Sequence, residues 1–284
     1  MTAEAPPMID VDVLIPTYAR PAALAVTLTS LAAQTFGAFR VIVSDQTEGD
    51  GAVAAGEVLA AARVLVSHGC EVRLQKHLPR RGIAEQRQFL LEQARAPYVL
   101  CLDDDVILEP YVLGMLVDVI REEHCGFVGS SVIGLSFARD VRPDEQRVEL
   151  WKGRVQPEEV RPGSEAWDRW KLHSAANLYH VQRRLGAAAG APLRYKVAWV
   201  SACVLYDAEK LRAVGGFSFW EKLPAEHCGE DVLAQLELMR VHGGCGVMPS
   251  GAYHQELPTT IPHRDFGADR MLLGTGRESR MRSV

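Results

Sequence analysis

The sequence lacks the features that mark several large classes of protein. No stretch approaches the roughly 20 apolar residues that a membrane-spanning helix needs. The N-terminal MTAEAPPMID has no basic segment followed by an apolar core. Six cysteines are scattered without CxxC spacing, so neither a disulfide framework nor a zinc site is indicated. We expect a cytoplasmic protein without a transmembrane segment, and peripheral membrane contact through the Arg-rich C-terminal tail stays open.

Charge of one sign is not in large excess either. The chain has 31 basic and 36 acidic residues and a formal net charge of -5. Duplex nucleic acid requires a strongly basic surface, so nucleic acid is not expected as a partner. With 284 residues, 48% of them hydrophobic, the chain can bury a core as one large domain or two closely packed ones.

Apolar runs bounded by turn residues alternate with helical patterns in the first half of the chain. Strand-like runs are VDVLIP, FRVIVSD, EVRLQK and YVLCLD, and RPAALAVTLTSLAAQ and GIAEQRQFLLEQAR have helical spacing. Pro21 and Pro110 each stand where a first helical turn would begin. The alternation predicts an open α/β sheet up to about residue 135, which binds ligands beyond the carboxyl ends of its strands.

Polar residues collect where these four runs end. PTYAR follows the first run, Asp45 ends the second, HLPRRG follows the third, and Asp103, Asp104 and Asp105 follow the fourth. Because strand side chains alternate, Asp103 and Asp105 would point one way and Asp104 the other. Three adjacent carboxylates repel one another unless water or a cation screens them, and hard oxygen ligands suit Mg²⁺ or Mn²⁺. A solvated acidic turn that caps the next helix explains the triplet equally well.

Several further stretches, taken together with these, resemble glycosyltransferase family 2, whose members have the GT-A fold. The resemblance covers residues 11–136 and 197–255. It is carried by VLIPTYARP, SDQTEGD, RRGIAEQRQFLLEQARAPYVLCLDDDV, WVSACVLYDAEKLRAVGGF and GEDVLAQLEL. Each stretch is weak alone, and their shared order makes the signal strong.

The resemblance implies a single GT-A-like α/β domain with a mixed central sheet. Residues 1–135 would form its Rossmann-like nucleotide-sugar-binding half, and residues 136–259 the acceptor-binding half with the catalytic base. Residues 260–284 would be a C-terminal tail that can act as a flexible lid, with His263 and Arg264 as its weaker candidates. The implied activity is inverting, metal-assisted hexosyl transfer from a nucleoside diphosphate sugar, a UDP-sugar first among them. The acceptor would be a carbohydrate, a glycolipid or a small molecule, as in polysaccharide biosynthesis.

The same resemblance assigns the donor site residue by residue. Asp105, with Asp103 and His254, would hold a divalent Mn²⁺ or Mg²⁺ ion, although a lone loop histidine is more often a plain hydrogen-bonding group. Asp45 would accept a hydrogen bond from the base edge, unless it only closes an Asx turn. Further contacts to the nucleotide sugar are assigned to Pro16, Thr17, Tyr18, Arg81, Arg87, Asp103 and Asp104.

Glu230 and Asp231, at the start of an amphipathic helical pattern, match the family's ED motif. The resemblance makes Asp231 the base that accepts a proton from the acceptor hydroxyl and Glu230 the positioning residue, with the reverse assignment open. Stabilisation of the helix start by acidic side chains is the alternative. On the acceptor side the candidates are Trp199, Gly216 and Trp220, for which core packing and plain turn formation are the alternatives.

Two departures and three competing functions bear on this assignment. Many relatives carry Asn where this chain has Ala19, and Ala-Arg-Asn where it has Gln86-Arg87-Gln88. A dinucleotide-dependent oxidoreductase is improbable because no GxGxxG follows the first strand. A sugar nucleotidyltransferase would open with a Gly-rich phosphate loop, which is missing. A non-catalytic binding module would have degenerate acidic motifs, whereas both acidic groups are intact.

Overall fold

A computed structural model describes residues 9–260 and 267–273 of the chain. It contains ten strands and eight α-helices within those ranges. The strands are β1 (Val11–Thr17), β2 (Phe39–Asp45), β3 (Val72–Lys76), β4 (Tyr98–Leu102), β5 (Val106–Leu108), β6 (Phe127–Gly129), β7 (Leu193–Tyr195), β8 (Cys203–Asp207), β9 (Gly244–Met248) and β10 (Ala252–His254). The helices are α1 (Pro21–Ala32), α2 (Gly56–Ser67), α3 (Ile83–Gln93), α4 (Val112–Glu123), α5 (Asn177–Arg184), α6 (Ala208–Ala213), α7 (Glu230–His242) and α8 (Ala268–Leu273).

Eight of the strands form one mixed sheet in the order β3-β2-β1-β4-β8-β6-β9-β7. Strands β1 to β4 are parallel to one another, β8 is antiparallel to β4 and β6, and β9 is parallel to β6. At the far edge β7 is antiparallel to β9. This mixed α/β sheet confirms the predicted fold class.

Both faces of the sheet are covered, which is why β1 and β2 are buried at every position and are mainly apolar rather than alternating. Side chains of α1, α2 and α4 pack on one face with Val13 and Ile15 of β1. Side chains of α3, α6 and α7 pack on the other face with Leu14. The result is three layers, with the sheet as the buried middle layer.

The predicted strand runs become β1 to β4, and their carboxyl ends lie at one edge of the sheet. Pro21 occupies the first turn of α1 as expected. The expectation for Pro110 is wrong by two residues, because α4 begins at Val112 after the N-cap Tyr111.

A second, two-stranded sheet positions residues 252–254 beside the aspartates. Strand β5 begins directly after Asp105 and pairs antiparallel with β10, so that Val106 lies opposite His254. This pairing brings together two segments about 150 residues apart in the sequence, near the carboxyl ends of β1 and β4.

The predicted division near residue 135 falls in a short 3-10 helix, Leu135–Arg139. The sheet runs across that division, since β8 pairs with both β4 and β6. Most of the tail expected from residue 260, including His263 and Arg264, lies outside the described residues. Within those that are described, no helix combines the length and apolar character needed to cross a bilayer.

Candidate active site

The aspartate triplet (Asp103, Asp104 and Asp105) forms the turn between β4 and β5. Asp104 and Asp105 are 7% and 4% exposed. Thr17, at the end of β1, donates a hydrogen bond from Oγ1 to Asp104 Oδ2 at 2.6 Å. Thr27 of α1 donates to the backbone oxygen of Asp104 at 2.8 Å. The turn is therefore fixed by β1 and α1 and is not a solvated loop.

Arg20 lies against the triplet from the loop after β1. Its Nη1 is 2.6 Å from Asp105 Oδ2 and 3.5 Å from Asp104 Oδ1. Its Nη2 donates to the backbone oxygen of Pro258. Sequence analysis missed this residue, although it is the last residue of the quoted PTYAR. The available signal was a cationic side chain at the same sheet edge as three carboxylates.

His254, at the end of β10, also faces Asp105. Its Nε2 is 3.5 Å from Asp105 Oδ2, the same oxygen that Arg20 contacts. Its Nδ1 accepts a hydrogen bond from the Glu256 backbone N–H at 2.7 Å. In a neutral imidazole that acceptor role leaves the proton on Nε2, so the hydrogen-bond network assigns the tautomer.

Arg87 of α3 connects the triplet to the second acidic group. Its Nη2 donates to Asp103 Oδ1 at 2.7 Å and its Nε donates to Glu230 Oε1 at 2.8 Å. The residue is only 4% exposed, whereas the side chain of Asp103 is 36% exposed. Arg87 thus fixes the relative position of two groups that are more than 120 residues apart in the sequence. Arg81 lies elsewhere, with its guanidinium carbon 6.0 Å from the ring centroid of Trp220.

The acidic pair (Glu230 and Asp231) begins α7, after Gly229 in the left-handed region at φ 78°. Burial, reinforced by the charge of Glu230 and opposed by Arg87, raises the pKa of Asp231 to about 7. Glu230 is bound to Arg87, whereas Asp231 is half-buried as a whole residue and its carboxyl is in a desolvated environment. The two carboxyls therefore differ in their surroundings: Glu230 is held in an ion pair, and Asp231 has a raised pKa.

Burial, with neighbouring negative charge, also raises the pKa of two carboxyls of the triplet, those of Asp104 and Asp105. Burial raises the pKa of Asp104 to about 7, against the hydrogen bond from Thr17. Burial and then the charge of Asp103 raise the pKa of Asp105, against His254 and Arg20. The guanidinium groups present thus compensate the carboxylates incompletely.

The residues assigned to the nucleotide base lie around the ends of β1 and β2. Asp45 is fully buried, and its Oδ1 accepts a hydrogen bond from the Thr47 backbone N–H at 2.8 Å. This is the Asx turn weighed as the alternative, and a contact between Asp45 and a nucleobase stays a prediction. Pro16 is buried within β1. The ring of Tyr18 is covered by the guanidinium of Arg80, whose carbon is 3.8 Å from the ring centroid.

The three acceptor-side candidates have separate surroundings. Trp199 is 8% exposed and packs on Trp167 with ring centroids 4.8 Å apart, an arrangement that serves the core. Gly216 has φ 57°, and an added Cβ would lie 2.8 Å from a methyl carbon of Leu91, so the turn requires glycine. Trp220 is half-buried beside Arg81.

His227 is a site residue that sequence analysis missed. Its Nε2 accepts a hydrogen bond from the Ala84 backbone N–H at 3.1 Å, and its Nδ1 lies 2.7 Å from the backbone oxygen of Pro224. With Nδ1 protonated both contacts are satisfied. His227 thereby anchors the loop that leads into the acidic pair to the start of α3. Nothing in the local sequence distinguishes it from a surface histidine.

The donor set at Asp105 and His254 fits the divalent cation that the family resemblance implies. No group of three or more His, Cys, Asp or Glu side chains in residues 9–260 and 267–273 is arranged to hold a metal ion. However, Mg²⁺ is commonly bound through one or two carboxylates, with substrate phosphates and water as remaining ligands. Asp105 Oδ2 can supply one such carboxylate ligand, and His254 Nε2, 3.5 Å away, could supply a second once its proton is displaced.

These features define a class of protein: a GT-A-type α/β domain with an acidic site at the carboxyl ends of its strands. The sequence matches the family model described as glycosyl transferase family 2 over residues 12–179, which is more than half of the chain. The chain belongs to glycosyltransferase family 2. No curated protein matches the sequence significantly.

Solved structures share the fold at low sequence identity. Residues 1–349 of S. aureus TarS in complex with UDP-GlcNAc match with a TM-score of 0.53 and 15% identity, covering 89% of this chain and 60% of that one. A second structure, of S. aureus TarS, matches with a TM-score of 0.51 and 16% identity, covering 87% of this chain and 36% of that one. A mannosyltransferase from Pyrobaculum calidifontis in complex with GDP-Man and Mn²⁺ has a TM-score of 0.49 and 17% identity, covering 84% and 56%. The chain thus spans at most about 60% of the length of these proteins.

Proposed function

We propose that this protein transfers a hexose from a nucleoside diphosphate sugar to an acceptor hydroxyl, with inversion at the anomeric carbon. The observation that carries the proposal is the double ion pair of Arg87, which holds Asp103 and Glu230 in one fixed arrangement. It links the triplet, which would face the donor phosphates, to the acidic pair, which would face the acceptor. A transferase needs both groups at the two sides of one anomeric carbon.

A UDP-sugar is the proposed donor. Two structures of TarS residues 1–349, one with UDP-GlcNAc and one with UDP, share this fold, which supports a nucleotide-sugar site at the ends of β1 and β4. Tyr18 and Asp45 are the proposed contacts to the base. The acceptor is proposed to be a carbohydrate, a glycolipid or a small molecule.

Asp105 and His254 are the residues proposed to hold Mn²⁺ or Mg²⁺, with Asp103 as a further candidate ligand. When bound, the cation would offset the negative charge that develops on the departing diphosphate. Asp103 points its Oδ1 at Arg87, so its proposed role is secondary to that of Asp105.

Asp231 is the proposed general base. As the acceptor oxygen forms its bond to the anomeric carbon and the bond to the diphosphate breaks, the hydroxyl proton passes to the Asp231 carboxylate. A base is most effective when its pKa lies near the working pH, and burial raises the pKa of Asp231 to about 7. Only the ionised form can accept the proton, so activity is expected to rise with pH through about 7. Glu230, already bound to Arg87, is the positioning residue.

Two substitutions test this division of roles. Asp105→Ala is expected to abolish Mn²⁺-dependent UDP binding in isothermal titration. Asp231→Asn is expected to leave that binding nearly intact and to remove release of UDP from a UDP-sugar panel in the presence of acceptors. Asp118→Asn, an exposed position on α4, is the matched control and should change neither. Equal loss of binding and transfer in both site variants would refute the assignment.

The same titrations separate the competing functions. A protein that binds UDP with Mn²⁺ but never releases it from any sugar nucleotide would be a binding module. Consumption of a nucleoside triphosphate together with a sugar phosphate would instead support a nucleotidyltransferase.

A further inference from the structure

Arg20 is paired with the carboxylate oxygen of Asp105 that is proposed to hold a metal ion. Its Nη1 is 2.6 Å from Asp105 Oδ2, and the same oxygen lies 3.5 Å from His254 Nε2. A cation bound to both Asp105 Oδ2 and His254 Nε2 would lie against the Arg20 guanidinium. Two positive charges at one oxygen repel each other, most strongly where water is largely excluded. Asp105 is 4% exposed.

Several hydrogen bonds hold this arrangement. Arg20 Nη2 donates to the backbone oxygen of Pro258, and the Gln255 backbone N–H donates to the Asp105 backbone oxygen at 2.8 Å. The Glu256 backbone N–H donates to His254 Nδ1, with Glu256 at φ 57°, a conformation that non-glycine residues rarely adopt. Because Nδ1 accepts that hydrogen bond, the imidazole proton of His254 lies on Nε2, the nitrogen that would have to be free to bind a metal.

Arg20 also has an alternative partner once a donor is present. Its side chain is 16% exposed and therefore reaches the solvent side of the site. A guanidinium forms forked, charge-assisted hydrogen bonds with phosphate, and these are stronger than those between neutral groups. A diphosphate that arrives at this edge of the sheet can therefore draw Arg20 away from Asp105.

We propose that Arg20 is an exchangeable counter-ion: it pairs with Asp105 in the free protein and moves to the donor diphosphate when the metal ion binds. Arg20 binds both Asp105 and the Pro258 backbone oxygen, so its movement would release both. The exchange is therefore linked to a change in residues 254–258. The inference rests on the proposed function, since it requires a diphosphate and a divalent cation at this site.

The exchange makes metal and nucleotide binding mutually dependent. Without nucleotide, the metal must displace a bound guanidinium; with nucleotide, the guanidinium has another anion to bind. By linkage, whatever factor the nucleotide adds to metal affinity, the metal adds to nucleotide affinity. Wild-type protein is therefore expected to bind Mn²⁺ alone weakly and to bind Mn²⁺ and UDP with positive cooperativity of about tenfold or more, within the usual range of coupling between sites.

Titration of Mn²⁺ followed by electron paramagnetic resonance of the free ion tests the exchange without any activity assay. Arg20→Gln is expected to tighten binding of Mn²⁺ alone by about tenfold and to lower the cooperativity with UDP by a similar factor. Arg20→Lys keeps a positive charge near Asp105 and should behave more like wild type with Mn²⁺ alone. Arg121→Gln is the matched control, because Arg121 pairs with Asp10 just before the amino end of β1, away from the site. The distance between Arg121 Nη2 and Asp10 Oδ2 is 3.0 Å. This control variant should not change either quantity.

The possible outcomes separate failure of the exchange from failure of the proposed function on which it rests. If wild type binds Mn²⁺ with UDP and Asp105→Ala does not, while Arg20→Gln binds Mn²⁺ alone no more tightly than wild type, the exchange is refuted and the proposed function stands. If wild type binds no Mn²⁺ even with UDP, both fail. Circular dichroism of Arg20→Gln checks that the variant is folded, and an unfolded Arg20→Gln leaves Arg20→Lys and wild-type cooperativity to decide. Absence of cooperativity in wild type would overturn the exchange on its own.

Discussion

Replacing Arg87 by methionine tests the buried ion pairs that connect the two acidic groups of the site. Methionine keeps much of the length and apolar volume of the side chain and removes its charge. Arg87 donates to Glu230 at 2.8 Å and to Asp103 at 2.7 Å. Loss of one partner from a buried ion pair costs about 3–5 kcal/mol because the remaining charge is left uncompensated.

The two carboxylates contribute unequally to that cost. Glu230 is 5% exposed, so most of the penalty arises from leaving its charge without a partner. The Asp103 side chain is 36% exposed, and water can replace much of what it loses. A partly exposed pair contributes about 1 kcal/mol or less. We therefore expect Arg87→Met to lower the free energy of unfolding by about 3–5 kcal/mol near neutral pH.

The destabilisation should depend on pH with a defined sign. Arg87 is one of the charges that oppose the rise in the pKa of Asp231, so that pKa should rise further above about 7 in the variant. A carboxyl whose pKa is raised in the folded state loses stability as pH rises from its unfolded value of about 4 through the folded value. The deficit of Arg87→Met relative to wild type should accordingly be larger at pH 8 than at pH 5.

Urea unfolding at pH 5 and pH 8, followed by circular dichroism, measures this difference. Arg169→Met is the matched control: Arg169 also pairs with two acids, Glu158 at 2.9 Å and Glu149 at 3.1 Å, but these are 20% and 31% exposed. It should be less destabilised, show little pH dependence and bind UDP as wild type does. An equal deficit at both pH values for Arg87→Met, or the same behaviour in both variants, would refute the reasoning.

Three further outcomes follow from the site and its surroundings. Ala19 has φ 56°, a left-handed conformation that costs a non-glycine residue about 1–2 kcal/mol, so Ala19→Gly should raise the urea midpoint despite the entropy that glycine adds to the unfolded chain. Wild-type stability should fall as pH rises from about 4 to 7 because burial raises the pKa of Asp104 to about 7, and Asp104→Asn should flatten that dependence. His227→Ala leaves the Ala84 backbone N–H without its acceptor, so hydrogen exchange at Ala84 should accelerate. The free energy of unfolding should fall by about 1–3 kcal/mol, measured by urea unfolding.

The sequence indicates the strands and the acidic groups because both are local signals. Buried parallel strands are rich in apolar residues, as most of β1, β2 and β4 is, although β1 contains Asp12 and β2 contains Arg40. An acidic triplet after such a run needs no knowledge of the fold to be noticed. The exact start of α4 was not predictable, since Pro110 tolerates a position before the helix as well as within its first turn. Ala19 shows a local conflict whose reason only the structure gives: Asn adopts the left-handed conformation more readily than Ala.

The residues that sequence analysis missed act through distant partners. Arg20 contacts Asp105, 85 residues later, and Pro258, 238 residues later. His227 contacts Ala84 across 143 residues. Neither spacing has a periodicity that a single sequence reveals, because such contacts arise from sheet order. The parallel β1–β4 pair and the β5–β10 pair bring Arg20 to Asp105 and Pro258 only after folding.

The charges of the site give a reason why a cation and a donor should enter together. Five carboxyl groups, those of the triplet and the acidic pair, are accompanied by two guanidinium groups, Arg20 and Arg87. With all five ionised the site carries an excess of three negative charges, and the diphosphate of a sugar nucleotide brings two more. A bare donor would therefore be repelled, whereas a complex of the donor with a divalent cation is close to neutral and enters without that cost. The raised pKa values of Asp104, Asp105 and Asp231 reflect burial first, and the charge of a neighbouring carboxylate adds to each. Because ionisation of these carboxyls is unfavourable, the site is suited to a ligand that brings its own positive charge. In the free protein, the Arg20 guanidinium supplies part of that positive charge.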